Sequence, residues 1–442
     1  MCPMTTISTP SGELGARRSS VFESLGDGVM VLPSAPVQHT SRDTERPYAP
    51  DRELFYLSGL AEPDCVAVLV GGSDPRLELF ARSRDADAEL WSGPRLGLEG
   101  VQSVSGAEEV YPIQELASRL PTMLGGADRI HVRLGRSREV DDLVIGALGT
   151  ARARGPRLGS GPRGVIDPGE ILDELRLLKS AHEVETIRNA CRITMEGHRA
   201  AARALAEGVG EWVVEAALER AFRAAGAIGP GFASIVGGGE NACILHYVAN
   251  DATIPEGGLV LIDAGAEYGL YHGDVTRTFP ASGRFSGTQR AVYEIVDEAR
   301  RAAIAAVRPG ATIGDVHEAS TRVLALGLLD LGVLSGDVDE VVDAGCHREF
   351  FPHQTSHWLG LDVHDPGDYQ RRGTSRMLEA GMVFTVEPGL YFRPESGGEG
   401  MGTWSGIGVR IEDDVLVTGD GAEVLTTDLP TAIDEVEGMV GR

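Results

Sequence analysis

The 442-residue chain is poor in cysteine: it holds five, and no two of them form a CxxC pair. An odd count without paired spacing argues against a disulfide framework and fits free thiols in a reducing compartment. Positive charge is also scarce, with 40 Lys and Arg against 66 Asp and Glu and a net charge of −26. Binding to phosphate backbones calls for the opposite balance, so nucleic acid is not an expected partner, and neither is an anionic membrane surface. No run approaches about 18 uninterrupted apolar residues, so no membrane-spanning helix is expected. Met1 to Ser20 lacks the apolar segment of a secretory signal, and a cytoplasmic location is the expectation. There is no HExxH, which removes a thermolysin-type zinc site. One GxGxxG does occur, Gly159-Ser160-Gly161-Pro162-Arg163-Gly164. No apolar strand leads into it, as dinucleotide binding requires.

Apolar residues make up 42% of the chain and charged residues 24%, a globular composition. The length implies two domains. Met1 to Ser20 is polar and expected to be frayed. From Ser20 to about Thr150, runs such as Val29-Met30-Val31-Leu32 and Val66-Ala67-Val68-Leu69-Val70 read as buried strands, and Glu115 to Leu124 reads as helix. This is an α/β pattern. Ala151 to Gly169 is rich in Arg, Gly and Pro and reads as a linker. The expected division is therefore residues 1–170 and 171–442. In the second part, helix is expected over Ile171 to Leu205, Val213 to Ala224, Gln289 to Val307 and again after Ile313. Strands prevail from Phe232 onward, an α+β pattern.

Three apolar runs end in an acid. Leu259-Val260-Leu261-Ile262 leads into Asp263, and Asp274 follows eleven residues later. A turn centred on Tyr268-Gly269 would set the two carboxylates face to face, where like charges repel unless a cation lies between them. Met382 to Val386 leads into Glu387, after which Pro388-Gly389 is expected to stop the strand. In Gly408-Val409-Arg410-Ile411-Glu412, alternation puts Val409 and Ile411 on one face, Arg410 and Glu412 on the other. Three histidines, His353, His357 and His364, fall within twelve residues, and His246 stands in Ile244-Leu245-His246-Tyr247. Singly, such acids are usually solvated rim residues and such histidines core residues. Together, acids at the ends of three strands are harder to dismiss as rim residues.

In order, Asp263, Asp274, His357, Glu387 and Glu412 resemble the five ligands of the pita-bread dinuclear metallopeptidases, a group that includes methionine aminopeptidase, prolidase and aminopeptidase P. Ser356-His357-Trp358-Leu359-Gly360-Leu361-Asp362-Val363-His364-Asp365 is similar to the aminopeptidase P signature. So are Thr385-Val386-Glu387-Pro388-Gly389-Leu390-Tyr391, Gly406 to Asp414, Phe55-Tyr56-Leu57-Ser58-Gly59 and Glu89 to Gly97. The resemblance implies a C-terminal pita-bread catalytic domain preceded by a smaller α/β domain. It implies two divalent ions bridged by Asp274 and Glu412, with Asp263 completing one shell and His357 and Glu387 the other. That set of four carboxylates and one imidazole is oxygen-rich and suits Mn²⁺, with Zn²⁺, Co²⁺ or Fe²⁺ also possible. Glu387 becomes the proton shuttle. His246 and His364 hydrogen-bond the substrate carbonyl, and Arg410 orients Glu412 or a neighbouring acid, with His353 behind. Trp91, Tyr369 and Tyr247 are candidates for holding the proline ring. In relatives the tryptophan matching Trp91 comes from a neighbouring subunit, which implies a dimer or tetramer. The implied activity is release of the residue preceding proline from a peptide's N-terminus. Hydrolysis of Xaa-Pro dipeptides is the second reading, and a non-catalytic peptide-binding protein on the same fold the third.

Overall fold

A computed structural model describes residues 9–159, 161–394 and 401–441. It contains two compact units, residues 7–175 and 176–442.

The first unit is built on a six-stranded mixed sheet. Its strand order is Glu109–Pro112, Arg76–Ala81, Val66–Val70, Val29–Pro33, Ile130–His131 and Val165–Ile166. Alternate residues of the central strands, Val29 and Val31 with Val66 and Val68, project toward one side. There they meet Leu116, Leu120 and Leu124, four apart on helix Leu116–Gly126, and Val140 and Val144 of helix Arg138–Leu158. Two expectations need correction. Residues from Ser11 onward are not a frayed tail: Ser11–Leu25 is a helix that buries Leu14, Arg17, Val21 and Leu25 at three- and four-residue intervals. Half of the expected linker is also helical, because Arg138–Leu158 continues through the Ala- and Arg-rich start of it. The GxGxxG stretch follows that helix, with Ser160 outside the described residues.

The second unit alternates paired helices with antiparallel strands. Helix Ala181–Ala204 packs on Glu211–Ala224, and Gly287–Ala306 packs on Ile313–Asp330. The expected single helix from Ile171 is two, Gly169–Leu177 and Ala181–Ala204. The break is a capping box, in which the Ser180 hydroxyl accepts the Glu183 N–H and the Glu183 carboxylate accepts the Ser180 N–H. One three-stranded sheet runs Ile235–Gly238, Leu259–Ala264, Val275–Pro280, and another Val383–Val386, Asp413–Val417, Ala422–Val424. Gly389–Phe392 pairs with Ile407–Arg410. Gly389 thus opens a second strand after Pro388 where only a stop was expected. Most residues of these strands are buried, which is why their sequences read as continuous apolar runs.

The hairpin between the first two acids turns one residue later than its glycine suggested. The central pair is Gly269-Leu270, both with positive φ of 59° and 68°. Leu270 is a poor residue for that conformation, which costs roughly 1–2 kcal/mol. Its side chain is buried, and about that much is returned by removing it from water. Asp263 consequently faces Thr276, not Asp274. Asp274 lies two residues before Thr276. Two steps along a strand restore the same face, so both carboxylates still project to one side.

Between the acids the strands approach too closely for side chains. A Cβ on Gly265 would stand 1.8 Å from the Gly273 carbonyl oxygen, and one on Gly273 would stand 2.9 Å from the Cys191 nitrogen. Gly265→Ala is therefore expected to spread the two acid-bearing strands. The expected cost is about 3 kcal/mol or more in denaturant unfolding, the upper end for overpacking because backbone must move.

Candidate metal centre

Five separate segments deliver the acids and the imidazole to one place. Asp263 ends a central strand, and Asp274 directly precedes the next. His357 sits in the loop before Val383–Val386. Glu387 occupies the corner between Val383–Val386 and Gly389–Phe392, and Glu412 the corner between Ile407–Arg410 and Asp413–Val417. Asp274, His357 and Glu412 present ligand atoms that all lie within 4.8 Å of one another. His357 Nε2 is 3.4 Å from Asp274 Oδ2 and 3.5 Å from Glu387 Oε1. Asp263 is tied in through Arg410, whose Nη2 donates to Asp263 Oδ2 at 2.5 Å.

The charges here are not balanced by the chain. Burial drives the Asp274 carboxyl well above its ordinary range, and the charges of Asp263, Asp414 and Glu387 add to it. Burial does the same to Glu412, followed by Asp274, Glu387 and Asp263. Glu387 is pushed up to about 7 by burial, with Asp263 adding and His357 and Arg410 opposing. Asp263 Oδ1 and Asp274 Oδ1 are buried with no hydrogen-bond partner among the described residues. Four clustered carboxylates, two with bare buried oxygens, are costly unless cations sit among them. Carboxylate oxygens with one imidazole are donors for divalent ions of the hard-to-borderline kind, and two such ions match four carboxylates in charge. The residues therefore fit a pair of divalent ions.

The cluster is held from behind. Arg410 also donates from Nη1 to the Tyr391 hydroxyl at 2.8 Å and from Nε to Thr276 Oγ1 at 3.1 Å. Arg410, expected to orient Glu412 or a neighbouring acid, makes its direct carboxylate contact with Asp263. His353 Nδ1 lies 2.8 Å from the Gln354 carbonyl, where it can only donate, so Nε2 accepts from Tyr391 at 2.8 Å. Thr385 Oγ1 accepts the His357 N–H at 3.1 Å and donates to Glu387 Oε1 at 3.3 Å. Asp414 Oδ2 accepts the Asp274 N–H at 2.9 Å and the Cys191 thiol at 3.2 Å. Burial raises the Asp414 carboxyl to about 7. On the solvent side, the His364 ring lies 4.3 Å from that of His357, centre to centre, and both His364 and His246 are exposed. The His272 N–H donates to the Gly360 carbonyl, pinning the hairpin to the loop that carries His357 and His364.

Other candidates stand elsewhere or do something different. Tyr369 accepts the Trp358 N–H at 3.0 Å and stacks on the Trp358 ring, so that face is occupied by the loop itself. Tyr247 donates to Glu211 at 2.8 Å. Trp91 is on helix Ala86–Ser92 of the first unit and is 90% exposed. Thr276, Thr385, Tyr391 and Asp414 were not foreseen. Asp413-Asp414 directly after Glu412 was the visible signal. Asp413 takes a different part, pairing with Arg277 and Arg300 at 2.7 Å each.

Comparison with known proteins gives a consistent picture. Residues 185–419 match the model of metallopeptidase family M24, and residues 15–132 match the aminopeptidase P N-terminal domain. The chain is 39% identical over 431 residues to the Xaa-Pro aminopeptidase of Escherichia coli strain K12, covering 97% of each. It superimposes on Pseudomonas aeruginosa aminopeptidase PepP with a TM-score of 0.92 at 41% identity, covering 98% of both chains. A zinc-substituted Escherichia coli aminopeptidase P in complex with product gives the same TM-score at 39% identity, again over 98% of both chains.

Proposed function

The chain belongs to metallopeptidase family M24 and is a metallo-aminopeptidase that releases the residue preceding proline from a peptide's N-terminus, and we propose that Asp263, Asp274, His357, Glu387 and Glu412 form its hydrolytic centre. The observation that carries this reading is their convergence in one buried, charge-unbalanced cluster. A pair of divalent ions bound there supplies Lewis acidity and brings the pKa of a water toward neutrality. Mn²⁺ is the ion we propose, on the oxygen-rich donor set.

The remaining chemistry falls to the chain. Glu387 Oε1 lies toward His357 and Oε2 toward His353, and this carboxylate is the group assigned to take a proton from water and release it again. The leaving proline nitrogen belongs to a tertiary amide and must receive that proton before it departs. Partial desolvation beside the cluster, with the neighbouring His357 and His246, holds His364 below its ordinary range, and as a neutral ring it has one N–H for the substrate carbonyl. His246 is assigned the same task. Arg410 fixes Asp263, and His353 supports Arg410 through Tyr391. Proline offers no N–H at the scissile bond and a fixed φ, so a site that relies on carbonyl and amine contacts accepts what other peptidases reject.

Trp91, bare on the first unit, is the residue we assign to a subunit contact in a homo-oligomer, since a large ring that exposed gains by being covered. The free thiols of Cys65, Cys191, Cys243 and Cys346 support a reducing, cytoplasmic setting. Among the described residues no helix is long and apolar enough to cross a membrane. The test is hydrolysis with Mn²⁺ of Xaa-Pro-Yaa tripeptides alongside Xaa-Pro dipeptides. The tripeptide should lose its first residue. Cleavage of the dipeptide alone would establish the prolidase activity instead.

A further inference from the structure

Arg410 is a guanidinium with only donors, and three of its nitrogens are committed to Asp263, Tyr391 and Thr276. At Thr276 this has a consequence. Because Arg410 Nε can only donate, Thr276 Oγ1 accepts there, and its single proton is left for Glu412 Oε2, 2.6 Å away. Thr276 is wholly buried, so no water competes for either bond. Its place follows from the hairpin register, which puts it directly opposite Asp263 on the neighbouring strand and on the same face. One guanidinium therefore reaches Asp263 directly and Glu412 through a single hydroxyl.

We propose that Thr276 is a positioning residue: its hydroxyl occupies one lone pair of Glu412 Oε2 and fixes the rotation of that carboxylate, so that its remaining lone pairs are aimed at the metal pair. The proposal rests on the metal-centre reading given above. Without the hydroxyl, Glu412 can rotate away from the orientation that faces the ions, and Arg410 Nε is left buried without an acceptor. Outer contacts of this kind typically contribute 10–100-fold in metal affinity or turnover.

Thr276→Val keeps the shape and removes only the hydroxyl, while Thr276→Ser keeps the hydroxyl and removes a methyl. Each metal-free protein, shown folded by circular dichroism, is titrated calorimetrically with Mn²⁺, and kcat and KM are measured for an Xaa-Pro-Yaa peptide. The valine variant is expected to bind its weaker Mn²⁺ 10–100-fold less tightly than wild type, with kcat reduced in proportion and KM changed less than threefold. The serine variant is expected within about threefold of wild type in both. Thr276→Ala replaces the valine variant if that one does not fold, with the same expectation. Wild-type Mn²⁺ affinity in the hydroxyl-free variant would overturn the role of Thr276 while leaving the metal centre standing. So would a serine variant as weak as the valine one. Absence of Mn²⁺ binding by the wild-type protein would instead overturn the metal centre itself.

Discussion

Asp274→Asn is expected to abolish hydrolysis and metal retention together. Asp274 lies within reach of both His357 and Glu412. The asparagine side chain has the same shape. The contact of the Asp274 main-chain N–H with Asp414 does not depend on it. What changes is one negative charge of four and one ligand oxygen, replaced by an amide N–H₂ that repels a cation. We expect kcat/KM to fall by about 10³-fold or more, some 4 kcal/mol of transition-state stabilisation. Metal content after gel filtration, read by plasma emission, should fall with it. The metal-free variant should also melt no lower than metal-free wild type, because the mutation relieves the repulsion that raises the carboxyls of Asp274 and Glu412. Near-normal turnover with full metal content would remove Asp274 from the centre.

Chelation should lower the melting temperature, and should do so more at pH 8 than at pH 5. Glu387 sits at about 7 in the folded, metal-free chain against an ordinary value near 4.5. A folded carboxyl raised in this way contributes stability that is fully present below about 4.5 and is lost as pH climbs through 7. The loss for this group is about 3 kcal/mol, and Asp274 and Glu412 shift in the same direction. Bound ions reverse the penalty and add about 2.7 kcal/mol for each site at 100 times its Kd. For a unit of this size we expect EDTA to lower the transition by roughly 10–20 °C at pH 8 and by much less at pH 5. Scanning calorimetry with and without EDTA across that range checks it. Equal transitions at every pH would mean that the acids are not crowded around an ion site.

Asp263, Glu387 and Glu412 stand out in the sequence because each follows a strand rich in apolar residues, whereas Asp274 is marked only by its spacing from Asp263 and His357 only by the resemblance of its segment to a known signature. The register between Asp263 and Asp274 could not be read. Glycine's preference for positive φ is met at Gly269, but as the first central residue of the turn with Leu270 the second, and nothing in the local sequence marks Leu270 for that conformation. The face survived the error because the two-residue offset preserves parity. The supporting residues were hidden for a different reason. Thr276, Tyr391 and Asp414 lie in strands with most side chains buried on both faces, so no alternation marks which of them looks toward the cluster. The helical stretch over Ser11–Leu25 was hidden by its small polar residues, and only Leu14, Val21 and Leu25 carry its stripe.

The most direct test is a crystal grown with Mn²⁺ and measured on both sides of the manganese absorption edge. The expected map holds two anomalous peaks, both enclosed by Asp263, Asp274, His357, Glu387 and Glu412. An empty map at saturating Mn²⁺, or peaks elsewhere with these side chains apart, would contradict it.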